Sequence, residues 1–383
     1  MRVMIAPDKF KGSLTASEAA RAIERGVLRA DPEAVIDLAP MADGGEGIVE
    51  ALVDATGGRQ VEVEVQGPLA APTLARFGLL GDGRSAVVAM SAASGLNLVP
   101  RESRDPTRTS TRGTGELILA ALGRGVRRLI VGIGGSGTND GGAGMAQALG
   151  YRLVDSGGRE VGPGGGSLDA LDRIDASAVD PLLAQADLEI EVACDVDNPL
   201  CGPNGASRIF GPQKGASPDQ IERLDANLAR LARIIRRDLG KDILDIPGGG
   251  AAGGLGAGLV AFGGASLRSG IGLVMDAVGL KRRLQGADLC LTGEGMLDTS
   301  TISGKTASGV AGLAASLGVP TIVLAGTIGP GAEAILNVGA SAYFSICHGP
   351  TSLEGAMAQA DAWLALSAEQ ATRAFLSGFR HRK

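Results

Sequence analysis

The order of apolar and polar positions repeatedly predicts a strand, then a polar or glycine-rich loop, then a helix. In segment 129–149, an apolar run passes through glycines into small residues that are compatible with a helix. The predicted strands that end in such loops span 2–6, 35–40, 129–133, 188–193, 287–291, 319–326 and 342–346. Because strands alternate with helices, the pattern predicts an α/β fold with a mostly parallel sheet.

The helix boundaries follow from local signals. Thr15 and Glu18 form a capping-box pair, and Asp31 followed by a proline ends that helix. Ser217 and Gln220 start an amphipathic helix, and Thr114 is the predicted cap of a helix through residue 122. Two more helices are expected over 48–55 and 353–376, and a short strand is expected over 151–154.

Residues 60–90 show a different pattern, in which valines alternate with polar residues around a Gly-Asp-Gly turn. This alternation predicts antiparallel hairpins and places a domain boundary near Gly58. A chain of 383 residues is also long enough for two domains.

Composition excludes several classes of partner. A net charge of −6 with 3% aromatic residues argues against nucleic-acid binding and favours a small molecule. No apolar signal segment follows Met1, and segment 248–267 contains too much glycine to span a membrane. The four cysteines form no C-x-x-C pair, which is typical of reduced cytosolic thiols. Since the chain has 2 histidines, acid–base chemistry must rely on carboxylates or lysines.

The glycine-rich loop after the 129–133 strand is a candidate anion site. Gly132, Gly134 and Gly137 fit G-x-G-x-x-G, and Asp155 follows roughly where a dinucleotide fold places its ribose-binding acid. Thr138, Asn139 and Asp140 suit a metal or a hydroxyl group better than a tight dinucleotide turn. A phosphate site, a dinucleotide site and a purely structural turn all remain open.

Other loops at strand ends carry charged residues that suit phosphate or magnesium. Asp195 and Asp197 lie just past a strand, which suits a hard cation, although turn capping explains them equally well. The segment 303–306 supplies only half of a P-loop, since Thr299 stands where its first glycine belongs, so we keep Lys305 alone as a phosphate contact. Asp8 lies with Lys9 and Lys11 in the loop after the first strand. The lysines of such loops are Lys9, Lys11, Lys214 and Lys305, and the acids that join them are Asp43, Asp140, Asp195, Asp197 and Glu294. Without a nucleophile motif, this set indicates phosphoryl transfer.

Six segments of the chain together carry a resemblance to a known family. APDKFKGSLTA, MADGGEG, GIGGSGTNDGGAGM, ACDVDNPLCGPNGA, FGPQKGA and TGEG…DTSTISGK lie in order between residues 6 and 305. Together they resemble the bacterial glycerate kinase family. The resemblance implies ATP- and magnesium-dependent phosphorylation of D-glycerate, giving 2-phosphoglycerate, and two α/β domains with the site between them.

The resulting predictions are specific. We expect a Rossmann-like, mostly parallel α/β domain from residues 1–58 and 286–383, with an inserted α/β domain of residues 59–285 that carries the hairpins. The enzyme is expected in the cytoplasm as a monomer or homodimer, with ATP and Mg²⁺ and without nucleic-acid or membrane partners. The predicted catalytic residues are Asp43, as the base, with Lys9, Lys11 and Asp195. The predicted ATP-binding residues are Gly134, Gly135, Ser136, Gly137, Asn139, Lys214 and Lys305, and the predicted metal ligands are Asp195, Asp197 and Glu294.

Three alternatives remain open at this stage. The kinase could instead form 3-phosphoglycerate. The G-x-G-x-x-G string with Asp155 favours an NAD-dependent oxidoreductase of a small hydroxy acid. The segment around Met296, Ser300 and Ala307 departs from the family pattern. The third alternative is therefore a non-catalytic sensor of a sugar acid or a nucleotide.

Overall fold

The computed structural model describes residues 1–45, 47–301 and 305–379. Its strands are β1 Arg2–Ile5, β2 Val35–Leu38, β3 Arg59–Gln66, β4 Pro72–Leu79, β5 Ser85–Ala89, β6 Arg128–Gly132, β7 Arg152–Val154, β8 Arg173–Asp175, β9 Glu189–Ala193, β10 Ser266–Arg268, β11 Leu289–Leu297, β12 Thr321–Ile328 and β13 Ala342–Ser345. Its α-helices are α1 Ala16–Ala30, α2 Ile48–Thr56, α3 Ser91–Ser94, α4 Arg112–Leu122, α5 Ala143–Ala148, α6 Ala206–Phe210, α7 Pro218–Leu239, α8 Leu255–Gly263, α9 Gly270–Ala277, α10 Leu280–Leu284, α11 Thr306–Ser316, α12 Ile335–Val338, α13 Leu353–Ala358 and α14 Ala360–Phe379.

The chain divides into two compact units. Unit 1 contains residues 1–43, 50–57 and the chain from Ile271 onward, and unit 2 contains residues 44–49 and 58–270. This confirms the α/β fold class. Both chain ends belong to one unit, and the second unit is inserted between them in the sequence. The predicted domain limits of 58/59 and 285/286 stay a prediction, because compactness does not test which segments fold on their own.

Unit 1 is built on a parallel sheet with the strand order β13-β12-β11-β1-β2. Val3, Ile5 and Leu291 are fully buried in its core, against apolar residues of α1 and α14. Parallel strands end at the same edge, so the loops after β1 and β2 lie at one edge of this sheet. The candidate residues of unit 1 are placed at that edge, where open α/β sheets bind their ligands.

Unit 2 is built on a mixed sheet with the strand order β10-β9-β6-β5-β4-β3. Strands β5, β6, β9 and β10 are parallel, whereas β3, β4 and β5 form the predicted antiparallel hairpins. The core includes fully buried Phe77, Leu117, Leu129 and Ile235, so the amphipathic helix α7 contributes its apolar face as expected. Strands β7 and β8 form a separate antiparallel pair.

Three predicted boundaries are wrong. Helix α4 begins at Arg112 rather than after Thr114, and Thr111 at its N-cap makes no side-chain capping bond. Strand β11 continues past Leu291 to Leu297, through residues that the sequence indicates as a loop. The last predicted helix is two helices, α13 and α14.

Segment 248–267 forms α8 and β10 rather than a long apolar helix. Throughout the three described ranges, no helix combines the length and the apolar character that crossing a membrane requires.

Candidate active site

Asp8 is a buried carboxylate at the end of β1. Its backbone N–H donates to the Gly293 carbonyl at 2.8 Å, and its side chain accepts hydrogen bonds from the Lys9 N–H at 2.7 Å and from the Thr306 hydroxyl. Burial, opposed by the Thr306 hydrogen bond and aided by the nearby negative charge of Asp43, raises the pKa of Asp8 to about 6. The sequence indicates the loop in which Asp8 lies but gives no role for Asp8 itself.

Glu294 lies inside β11, where its backbone pairs with Ala325 of β12. Its side chain is 9% exposed, and the oxygen Oε1 has no hydrogen-bond partner among the described residues. Burial raises the pKa of Glu294 to about 7, against the opposing effect of the positive charge of Lys305. A buried acceptor without a donor is rare in folded proteins and calls for a functional or solvent explanation.

Lys305 is the N-cap residue of α11, as expected for a lysine held at a helix start. Its ammonium donates to the Ser300 hydroxyl at 2.6 Å, and that hydroxyl also bonds the Asp298 carboxylate. Ser303 and Gly304, the other residues of the partial P-loop, lie outside the described residues. The positive charge of the lysine acts on the buried Glu294 carboxylate and favours its charged form.

The remaining predicted residues of unit 1 lie in the same loops. Asp43 follows β2 and is half-buried, and its charge acts on Asp8. Lys9 is half-buried and Lys11 is exposed, both directly after Asp8. The structure thus brings Asp8, Asp43 and Glu294 together with cations at one edge of the parallel sheet.

The glycine-rich loop of unit 2 differs from a dinucleotide turn. Gly132 is the last residue of β6, where a Cβ would meet the Gly44 carbonyl at 2.9 Å, so this glycine serves close packing. The Gly137 N–H donates to the Ser94 carbonyl at 2.9 Å, and helix α5 begins only at Ala143. Gly134 and Gly135 are exposed and Ser136 is half-buried, which keeps this part of the loop open to a ligand.

Asp140 holds the second half of that loop from the interior. Its two carboxylate oxygens accept hydrogen bonds from the N–H and hydroxyl of Thr111 and from the N–H groups of Gly142 and Gly144. Burial raises the pKa of Asp140, and these donors oppose that effect. The Asp140 carboxylate thus bonds donors of the protein itself. These contacts give no support to the interpretation that it binds a metal or a substrate hydroxyl.

Lys214 and Asn139 are also interior groups. The Lys214 ammonium, on a residue that is 1% exposed, donates to the Thr138 carbonyl at 2.7 Å, and burial lowers its pKa to about 7. The Asn139 amide donates to the Ser207 hydroxyl at 2.9 Å. These contacts support the 134–140 loop. Direct contact of either residue with ATP stays a prediction.

Asp195 and Asp197 are exposed residues directly after β9. Asp195 accepts a hydrogen bond from the Gly270 N–H at 2.9 Å. Across the described ranges, no group of three or more His, Cys, Asp or Glu side chains could hold a metal. Magnesium in kinases is commonly held by one or two carboxylates plus substrate phosphates, so two exposed carboxylates fit this ion. Glu294 fits it poorly, because the Lys305 ammonium beside it opposes a second cation, and its metal assignment stays a prediction.

Asp155 does not have the contacts of a ribose-binding acid. Its carboxylate accepts hydrogen bonds from the N–H groups of Gly157 and Arg159, at 2.8 and 3.0 Å, and pairs with the Arg159 side chain. These bonds, above all that from the Arg159 backbone, lower the pKa of Asp155. The residue stabilises its own turn, which removes the main support for the oxidoreductase alternative.

Comparison with known proteins agrees with the resemblance read from the sequence. The family model described as glycerate kinase family matches residues 3–376. A glycerate kinase of Bacillus subtilis (strain 168) is 53% identical over 360 residues, which cover 94% of each chain. A glycerate 2-kinase of Escherichia coli (strain K12) is 51% identical over 346 residues, which cover 90% of each chain.

The fold agrees as well. A crystal structure titled as a glycerate kinase 2 of Salmonella typhimurium LT2, by provisional assignment, superimposes with a TM-score of 0.90 at 50% identity, over 99% of each chain. Sequence and fold therefore both match members of one family over nearly the whole chain. The chain belongs to the glycerate kinase family and is an enzyme of that family.

Proposed function

We propose that this protein transfers the γ-phosphate of ATP to the 2-hydroxyl of D-glycerate, giving 2-phosphoglycerate. The observation that carries the proposal is the 51% identity, over 90% of the chain, to a relative named as a glycerate 2-kinase. The grouping of buried carboxylates with lysines at one edge of the parallel sheet supports it further. Transfer to the 3-hydroxyl is the second candidate, since other relatives, among them that of Bacillus subtilis, are named glycerate kinase without a stated position of transfer.

The residues of unit 1 are suited to the organic acid and its hydroxyl. Lys9, Lys11 and Lys305 supply positive charge for a substrate carboxylate or for phosphate oxygens. Asp43 is the base that the sequence favours, and it lies beside the buried Asp8. Because the transition state is mainly stabilised by positioning and charge neutralisation, this combination suffices without a covalent nucleophile.

The residues of unit 2 are suited to phosphates and magnesium. We propose that Asp195 and Asp197 hold Mg²⁺, which neutralises charge on the phosphate oxygens when it is bound. The exposed backbone of Gly134 and Gly135 is the proposed phosphate contact, and Lys214 fixes that loop from the interior. We also propose a cytoplasmic location, where ATP is available, and a monomer or homodimer as the working state.

A coupled assay of ADP release tests the proposal. We expect release with ATP, Mg²⁺ and D-glycerate, and much slower release with tartronate or hydroxypyruvate. Phosphorus NMR of the product distinguishes the 2- from the 3-phosphate. Tight binding of glycerate without ADP release would favour the sensor alternative. A change in NADH fluorescence with glycerate, and no use of ATP, would favour the oxidoreductase.

A further inference from the structure

The oxygen Oε1 of Glu294 is held in place by the fold but satisfied by no described group. The backbone of Glu294 lies within the parallel ladder between β11 and β12, opposite Ala325, so the position of its side chain is set by a central strand. The residue is nine-tenths buried, and Oε1 has no donor among the described residues. A rigid and buried acceptor of this kind is suited to a ligand that brings its own donor.

The groups around Glu294 define which ligand fits. Lys305 contributes a positive charge, Asp8 and Asp298 contribute negative charge, and the Thr301 hydroxyl lies near the carboxylate. A ligand with a hydroxyl donor next to a carboxylate matches an acceptor beside an ammonium. D-Glycerate has this arrangement at its second carbon, where the hydroxyl is adjacent to the carboxylate.

We propose that Glu294 accepts a hydrogen bond from the 2-hydroxyl of the hydroxy acid and takes the proton of that hydroxyl during phosphoryl transfer. Lys305 binds the adjacent carboxylate of the substrate. This inference rests on the proposed function and deepens it, since it assigns the base and the reacting hydroxyl.

The O–H bond of the substrate breaks and its proton moves to Oε1 of Glu294. The hydroxyl oxygen bonds the γ-phosphorus of ATP, and the bond from that phosphorus to the β-γ bridging oxygen breaks. Its electron pair leaves with ADP. Because Oε1 is buried and has no donor among the described residues, it can accept this proton without breaking a hydrogen bond of the protein.

Asp8 is less suited to this role, although it lies in the same group of side chains. Both of its oxygens already accept a hydrogen bond, one from Lys9 and one from Thr306. Asp43, the base favoured by the sequence, is half-buried rather than enclosed. Direct comparison of the Asp43 and Glu294 variants therefore separates the two assignments.

The test compares Glu294→Gln with Glu333→Gln, a matched change at an exposed glutamate of unit 1. Glutamine keeps the shape of the side chain but takes no proton at neutral pH. We expect kcat to fall about 100- to 10,000-fold in Glu294→Gln, the range for loss of a general base, and to stay within about 2-fold in Glu333→Gln. The KM for ATP and the magnesium concentration for half-maximal rate should stay within about 3-fold.

Two further variants complete the test. Lys305→Met should raise the KM for D-glycerate at least about 10-fold, as expected for loss of a charged contact, with little change in the KM for ATP. Asp43→Asn should retain at least ten times the kcat of Glu294→Gln. The melting temperature of Glu294→Gln should equal or exceed that of the wild type, because burial disfavours the charged carboxylate that the substitution removes.

Several outcomes would overturn the inference. These are a kcat within 3-fold of the wild type in Glu294→Gln, a shifted magnesium requirement, or a larger loss in Asp43→Asn. A lower melting temperature with activity lost in proportion to the unfolded fraction would also assign Glu294 a structural role. If the wild type itself does not phosphorylate glycerate, the proposed function fails, whereas active wild type with active Glu294→Gln refutes this inference alone.

Discussion

Asp140 and Glu294 are both buried carboxylates, but only Asp140 has donors around both of its oxygens. The hydrogen bonds to Asp140 replace those that its carboxylate loses with water on burial. Glu294 lacks such a replacement at Oε1, so part of its desolvation penalty is not offset. The difference separates a structural acid from a candidate catalytic one. It could not be predicted from the sequence, which shows both residues only as acids beside glycines in loops after strands.

Removing the structural carboxylate should destabilise unit 2 strongly. In Asp140→Ala, the Thr111, Gly142 and Gly144 donors lose their acceptor and the buried Lys214 loses a neighbouring negative charge. We expect a loss of about 3–5 kcal/mol in the free energy of unfolding, measured by urea denaturation. Asp140→Asn keeps one acceptor and should lose less. Equal stability of Asp140→Ala and the wild type would contradict this account of the loop.

Glu294 should make stability depend on pH in a defined direction. Because its pKa is raised from 4.5 to about 7 in the folded state, the folded protein binds the proton more tightly than the unfolded chain does. Its favourable contribution is therefore complete below about pH 4.5 and is lost as the pH rises through 7. Asp8, Asp298 and Lys305 are the charged groups that act on it.

Glu294→Gln, which stays neutral, should thus gain stability relative to the wild type between pH 5 and pH 8. The gain is on the order of 3 kcal/mol, taken from the shift in pKa. Urea denaturation at each pH measures it, with Glu333→Gln as the control for loss of one negative charge. A gain that does not change with pH would show that the buried carboxylate does not titrate in this range.

At the scale of elements, helix α7 could be predicted and strand β11 could not. The start of α7 depends on a local capping box, in which the Ser217 and Gln220 side chains bond each other's backbone N–H groups. The glycines of β11 predict a loop, yet a Cβ on Gly293 would lie 2.1 Å from the Leu324 carbonyl oxygen. They are required by a close approach of neighbouring backbone, which only the tertiary structure reveals.

Helix α1 contains a second glycine of this kind, at the contact with α14. A Cβ on Gly26 would lie 2.1 Å from the Ala365 carbonyl oxygen and 2.8 Å from the Ala368 Cβ. Gly26→Ala should therefore destabilise unit 1 by about 1–3 kcal/mol through overpacking, although alanine favours a helix. Gly378→Ala on α14, where a Cβ meets no atom of the described residues within 4 Å, is the matched control and should be neutral or stabilising. Urea denaturation of both variants checks this, and equal effects would contradict the proposed packing.

At the scale of the whole molecule, the α/β class could be predicted because strand, loop and helix patterns are local. The strand order β13-β12-β11-β1-β2 could not, since it pairs β1 with a strand 286 residues further along the chain, Val3 opposite Leu289. That pairing brings Asp8 and Glu294 together and gives unit 1 its candidate site. The family resemblance predicts the reaction from the sequence. That Oε1 of Glu294 is buried without a described donor is visible only in the folded structure.

The most direct test of the central claim is phosphorus NMR of the product that the purified protein forms from ATP, Mg²⁺ and D-glycerate. The account predicts ADP and 2-phosphoglycerate in equal amounts, with formation of both abolished when D-glycerate is omitted. A sample in which ATP remains intact beside D-glycerate would contradict it.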